Sequence, residues 1–209
     1  MDEPVQDSEQ EISDQRLLKG ARARATIARH AAEVASVEGL TGLSLGRLAG
    51  DLGVSKSGVA TLFGTKEKLQ LAAVQAAREM FIDTVIRPAY SEERGIARLR
   101  SIIEHWFEYI GAPMLPGGCF RGASVPEFDS RPGPVRDALA ADRADWFAVL
   151  EKEIGRAQEQ GYMPGLDAHA VAFQLDAIIA AANTASRMGD ESALPLARTL
   201  VEGLIGSPR

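Results

Sequence analysis

An all-α chain is predicted from three observations. Apolar residues recur at three- and four-residue spacing through most of the 209 residues. Caps and short-range apolar pairs crowd into residues 44–66, SLGRLAGDLGVSKSGVATLFGTK, as two short helices joined by a tight turn require. Charge is divided along the chain, with −6 over residues 1–15, +5 over 16–70 and −5 over 71–209. The expected organisation is a disordered acidic tail at 1–15, a three-helix helix-turn-helix head at 16–70 and a helical second domain at 71–209.

Residues 1–15 are polar, acidic and without apolar periodicity, hence the expected tail. Its plain reading is a solubilising leader; an autoinhibitory mimic of DNA is the remote one. The first helix is expected over 17–38, with Ile27, Ala31, Val34 and Ala35 on one face and Gly39 as a left-handed stop. Arg22, Arg24 and Arg29 make its early part basic, whether as phosphate contacts or as a solvated face. The second helix, about 45–52, has Ser44 as N-cap and Leu43–Leu48 as a hydrophobic staple; Gly53 ends it. The third begins from the cap Ser55, with Val54–Val59 repeating the staple spacing. Val59, Leu62 and Phe63 point inward, leaving Lys56, Ser57, Gly58, Ala60 and Thr61 outside. Gly58 costs a surface helix about 1 kcal/mol against Ala, a cost acceptable where another backbone must come close. Thr65 caps a fourth helix, roughly 66–87, stopped by Pro88.

Beyond the joint at 88–95, an amphipathic helix is expected at 96–110 through Ile96, Leu99, Ile103, Trp106, Phe107 and Ile110. Residues 111–118 read as a loop and 119–129 as a short helix containing or ended by Pro126. A long helix follows to about Gln160, with Val135, Leu139, Trp146, Leu150, Ile154 and Ala157 on one face. Two final helices, 167–188 and 191–205, are apolar on more than one side. Burial within one subunit and a dimer interface both explain that.

The segment 16–70 alone is net positive, which is the electrostatic footprint of a phosphate-binding surface. The helical hairpin therefore reads as a DNA-binding element. Lys66 stands in the first turn of its helix, where the dipole disfavours a cation. A bound phosphate reverses that balance, accepting both the lysine and the free backbone N–H groups.

Residues 16–70 resemble the N-terminal domain of TetR-family (tetracycline-repressor-like) transcriptional regulators. The resemblance is carried by the basic first helix, by LTGLSLGRLAGDLGVSKSGVATLF and by GTKEKL opening the fourth helix. It implies an all-α second domain that binds an effector, and a homodimer formed by the last two helices as a four-helix bundle. One departure stands out. Many members carry a Tyr three residues before the terminal Phe of the recognition helix, and here that residue is Ala60. The usual aromatic phosphate contact is missing; Ala60 is instead suited to a thymine methyl.

A dimer of such heads would address a palindromic operator in double-stranded DNA. The candidate DNA contacts are Ser44, Lys56, Ser57, Gly58, Ala60, Thr61, Thr65 and Lys66. Ser44, Thr65 and Lys66 are expected on phosphates, Ser57 and Thr61 at base edges, and Lys56 at either. The candidate effector pocket is Trp106, Phe107, Tyr109, Met114, Cys119, Phe128, Trp146 and Phe147, suited to an apolar or aromatic small molecule. For each of these the competing reading is plain core. Cys119 is the sole cysteine, so no internal disulfide is possible; a structural thiol is favoured over a redox sensor.

Other classes fare worse. His30, His105 and His169 are far apart and form no metal-ligand spacing. No phosphate-loop glycine pattern or catalytic constellation appears, so neither an enzyme nor a cofactor is expected. No apolar run approaches a membrane span, and the acidic start has neither the positive flank nor the apolar core of a signal peptide. A cytoplasmic location is expected. The leading reading is a repressor released from its operator by a small ligand. The rival is an all-α dimeric small-molecule-binding or protein-interaction module whose DNA head is weak or vestigial.

Overall fold

Helix caps and apolar faces place nine helices among the described residues, which in this computed structural model are 4–111 and 114–206, without the side chains of 4–14 and 16. They are α1 (Pro4–Glu38), α2 (Leu45–Asp51), α3 (Lys56–Phe63), α4 (Lys66–Phe81), α5 (Ile96–Gly111), α6 (Phe120–Phe128), α7 (Pro134–Glu159), α8 (Ala168–Arg187) and α9 (Ala193–Ile205). No strand occurs among these residues, and no helix is long and apolar enough to cross a membrane.

The first helix departs from its expected start. α1 runs back to Pro4, through the stretch read as a disordered tail. Periodicity marks only the part of a helix that is packed. The earlier turns open on Pro4, whose missing N–H costs nothing at a helix start.

In the head, α1 lays Ile27, Ala31, Ala32 and Ala35 against Leu48 and Ala49 of α2, Val59 and Phe63 of α3, and Leu69 and Ala73 of α4, all buried. Arg24 pins α1 to α3. Its guanidinium donates to the Leu62 carbonyl at 2.6 Å and lies 4.5 Å from the centre of the Phe63 ring. His30 bridges α1 and α2, with Nε2 3.1 Å from an Asp51 carboxylate oxygen and Nδ1 3.2 Å from Glu33.

α4 leaves the head and enters the second domain, where Arg78 pairs with Asp142 and Asp145 of α7. The regular helix expected as far as 87 stops at Phe81. A single wide turn follows at Ile82–Ile86, with the Arg87 N–H reaching the Ile82 carbonyl at 2.8 Å, and a tight turn at Pro88–Ser91. Pro88 is the physical cause: its ring would press on the carbonyl four residues back, and it has no N–H to continue the ladder.

The second domain is built around edge-to-face aromatics. Phe81 meets Trp106, Tyr109 and Trp146 at centroid distances of 6.4, 5.3 and 5.0 Å, and Trp106 meets Trp146 at 4.8 Å. Each such pair contributes roughly 0.5–1.5 kcal/mol beyond its buried area. The ends of the cluster are polar and paired. Arg121 stacks 4.1 Å from the Phe81 ring and forms a two-pronged bond with Asp142, at 2.6 and 3.1 Å.

α8 and α9 pack on this core through Val171, Leu175, Ile179, Ala182, Ala197, Val201 and Ile205. Their opposite faces are bare. Phe173 and Met188 of the α8 segment are 55% and 84% exposed, and Leu196 and Leu200 of α9 are 57% and 49% exposed. The side chains fall at helical spacing, so these are two apolar stripes side by side.

Candidate DNA interface and cavity

The head carries three local caps in a row. Ser44 accepts from the Arg47 N–H at 3.1 Å, Ser55 from Gly58 at 3.0 Å and Thr65 from Lys68 at 3.2 Å. The turn between α2 and α3 is fixed by Gly53, at φ 64°, and by the Val54 N–H bonded to the Ala49 carbonyl at 2.9 Å. The first staple is formed, with Leu43 and Leu48 both fully buried. The second is not: Val59 is buried but Val54 is 46% exposed.

α3 thus stands with Lys56, Ser57, Gly58 and Thr61 exposed and Ala60 partly so, on the face opposite Val59 and Phe63. The Thr61 hydroxyl donates back to the Ser57 carbonyl at 2.9 Å, and Ser57 Oγ lies 3.3 Å from Ser55 Oγ. Gly58 has a reason inside the chain: a Cβ there would meet Ser55 Oγ at 2.9 Å, so the residue suits the cap itself. Lys66 donates its ammonium to the Thr41 carbonyl. Ser44, Thr65 and Lys66 are all exposed and lie at the starts of α2 and α4. Arg24, by contrast, is committed to α3, and Arg29 pairs with Glu33 at 3.9 Å.

In the second domain a cavity of about 350 Å³ lies between α5, α6, α7 and α8. Trp106 and Ile110 supply its α5 wall, and Cys119, Arg121, Gly122, Val125 and Pro126 the wall beside α6. Arg143 comes from α7; Asp176, Ile179, Ala180, Ala181, Asn183 and Thr184 come from α8. Asp176 is held by Arg143 and by the Trp146 indole N–H, both at 3.3 Å. Asn183 accepts the Cys119 N–H at 3.1 Å and so fixes the start of α6. The indole N–H of Trp106 is buried without a partner. Ala180, Ala181 and Thr184 are exposed and lie along the bare stripe of α8, so the cavity opens toward that face.

Of the expected pocket residues, Trp106 and Cys119 line this cavity, and Trp146 backs it through Trp106 and Asp176. The other five lie elsewhere. Tyr109 packs on Phe81. Phe107 lies under Arg198 of α9, and Phe147 lies under Arg143. Phe128 borders a smaller hollow beyond Val125. Met114 is 39% exposed, 3.1 Å from the Thr84 hydroxyl. The cavity walls instead combine apolar residues such as Ile110, Val125 and Ile179 with polar ones such as Arg121, Arg143, Asp176 and Asn183, drawn from four helices. Burial raises the Cys119 thiol above its ordinary pKa, against the opposing pull of Arg121. It likewise holds the Tyr109 phenol well above the usual value. Among the described residues no cluster of His, Cys, Asp and Glu suits a metal ion.

Residues 95–201 match a family model described as tetracyclin repressor-like, C-terminal domain. A search of curated proteins finds no match. Among solved structures, a TetR transcriptional regulator from Chloroflexus aurantiacus J-10-FL superposes with a TM-score of 0.81 at 22% identity, over 88% of this chain and 94% of that one. A protein from Saccharomonospora viridis in complex with choline gives 0.77 at 19% identity, over 88% and 96%. AibR, in complex with isovaleryl coenzyme A and operator DNA, gives 0.69 at 19% identity, over 87% and 98%.

Proposed function

Because the chain belongs to the tetracyclin repressor-like family of transcriptional regulators, we propose that it is a DNA-binding repressor released from a palindromic operator by a small ligand. The observation that carries this is the head. A triply capped helical hairpin presents small and polar side chains outward, within the net-positive segment 16–70. Ser44, Thr65, Lys66 and the backbone N–H groups at the starts of α2 and α4 bind phosphates. Thr61, Ser57 and Lys56 face base edges, and Ala60 a thymine methyl. With few long side chains on α3, part of the specificity comes from DNA shape and bridging water.

The bare apolar stripes of α8 and α9 are the dimer surface, joined as a four-helix bundle. Two heads related by a two-fold axis then read two half-sites about one helical turn apart. The cavity takes the effector, a small molecule with an apolar or aromatic body. That similar folds hold choline and isovaleryl coenzyme A supports a ligand in this domain. The ligand lowers DNA affinity by binding better to the conformation in which the heads do not fit the operator. Such a role requires no catalytic group and places the protein in the cytoplasm with its DNA.

Selection of duplexes from a random-sequence pool tests this reading. The expected result is enrichment of one inverted repeat. If no sequence is enriched, even at low salt, the chain is a dimeric binding module and the DNA reading is lost.

A further inference from the structure

The part of the second domain that walls the cavity is fastened to the head at both of its ends. Ahead of α6, the Gly117 N–H donates to Ser36 Oγ of α1 at 2.9 Å. Gly117 lies so close to α1 that a Cβ on it would overlap the Ser36 carbonyl. Near the end of α6, Glu127 takes three donors of the turn that joins α1 to α2. Its carboxylate accepts the Leu40 N–H at 2.7 Å, the Thr41 N–H at 2.9 Å and the Thr41 hydroxyl. A Cβ at Gly39, at φ 75°, would meet the same carboxylate at 2.7 Å, so the turn is shaped around it. The Thr41 carbonyl in turn takes Lys66, and the Leu40 carbonyl takes the Gln70 amide at 2.8 Å. One carboxylate therefore stands between the cavity wall, made by Val125 and Pro126 directly before it, and the residues that set α2 and the start of α4.

We propose that Glu127 is the positioning residue through which occupancy of the cavity reaches the DNA head. The proposal rests on the cavity being the effector site. A molecule entering beneath α6 pushes on Val125 and Pro126 and shifts the carboxylate two residues further on. Leu40 and Thr41 lose their acceptor, and Thr41 loosens its hold on Lys66. The part-buried Leu40 N–H cannot lose its acceptor without cost, so the joint follows the carboxylate.

The test fills the cavity without needing the natural ligand. Val125→Phe adds bulk to the cavity wall, and its effect is read in wild-type and Glu127→Ala backgrounds on the duplex enriched by the wild-type protein. In the wild-type background the substitution should change the dissociation constant by about fivefold or more, the lower range of site-to-site coupling. It should also speed hydrogen exchange at the Leu40 and Thr41 amides, which it does not touch. In the Glu127→Ala background it should change affinity by less than about twofold on the same scale. Should Glu127→Ala fail to fold or bind, Glu127→Gln, whose amide keeps one acceptor oxygen and loses the other, replaces it, and the effect of Val125→Phe should then be reduced and not abolished. An equal change in both backgrounds overturns the role of Glu127 while leaving the cavity reading intact. No change in affinity or exchange from Val125→Phe in the wild-type background overturns the cavity reading and this proposal with it.

Discussion

The head and the cavity domain reach order by different routes. The head's exposed surface is held by bonds spanning three residues: Ser44 to Arg47, Ser55 to Gly58 and Thr65 to Lys68. The cavity is held by contacts between distant segments, such as Cys119 with Asn183, Arg121 with Asp142 and Trp146 with Asp176. A surface built locally can present a fixed pattern to a rigid partner. One built from four helices can change shape when any one of them moves, as a ligand site that must report its occupancy requires.

The contrast is broken most forcefully in the aromatic cluster. Trp146→Ala should cost about 3–5 kcal/mol of stability, the usual range for truncating a buried aromatic, because Trp146 is 1% exposed and touches Phe81, Trp106 and Asp176. Denaturant unfolding reads this directly; a loss below about 1 kcal/mol, far under that range, would show that the aromatic cluster does not hold the second domain together. In the head, Ser55→Ala should cost about 1 kcal/mol through the lost cap and weaken DNA binding in the same protein. If stability falls and binding does not, α3 is not the reading helix.

Lys66→Ala should leave stability within about 0.5 kcal/mol, as for an exposed side chain. It should also lower the slope of log affinity against log salt by about one. An unchanged slope would leave Lys66 bonded only to Thr41. Thr61→Ala should alter the enriched base at one position of each half-site, and an identical selection profile would remove Thr61 from the readout.

Cys119 gives the smallest effect. The thiolate is the reactive form, and burial raises the thiol's pKa, so little thiolate exists at neutral pH. Alkylation should remain slow until the pH passes the ordinary thiol value, and then rise. Rapid alkylation at pH 7 would restore the redox reading that burial opposes.

The same division explains what could be read beforehand. Ser44, Ser55 and Thr65 announce themselves by position within their own helices, and the inward faces of α1, α5 and α7 follow from spacing. Leu43–Leu48 forms as its spacing suggests. Val54–Val59 does not, because Val54 sits on the turn with nothing above it. The wide turn at Ile82–Ile86 was hidden, since Pro88 marks where a helix must end and not how it does so. The cavity was the least legible part. Arg121, Arg143, Asp176 and Asn183 look like solvated polar residues on amphipathic helices, and only the packing of α6, α7 and α8 against one another brings them together. Glu127 gave no local signal at all, because its partners lie 86 and 87 residues away.

The most direct test of the central claim is hydrogen exchange of the full-length protein with and without its enriched duplex. If the head reads DNA, residues 41–68 gain protection at the starts of α2, α3 and α4, and peptides from α7 and α8 gain little. Protection in α7 and α8 with none in residues 41–68 would contradict the account.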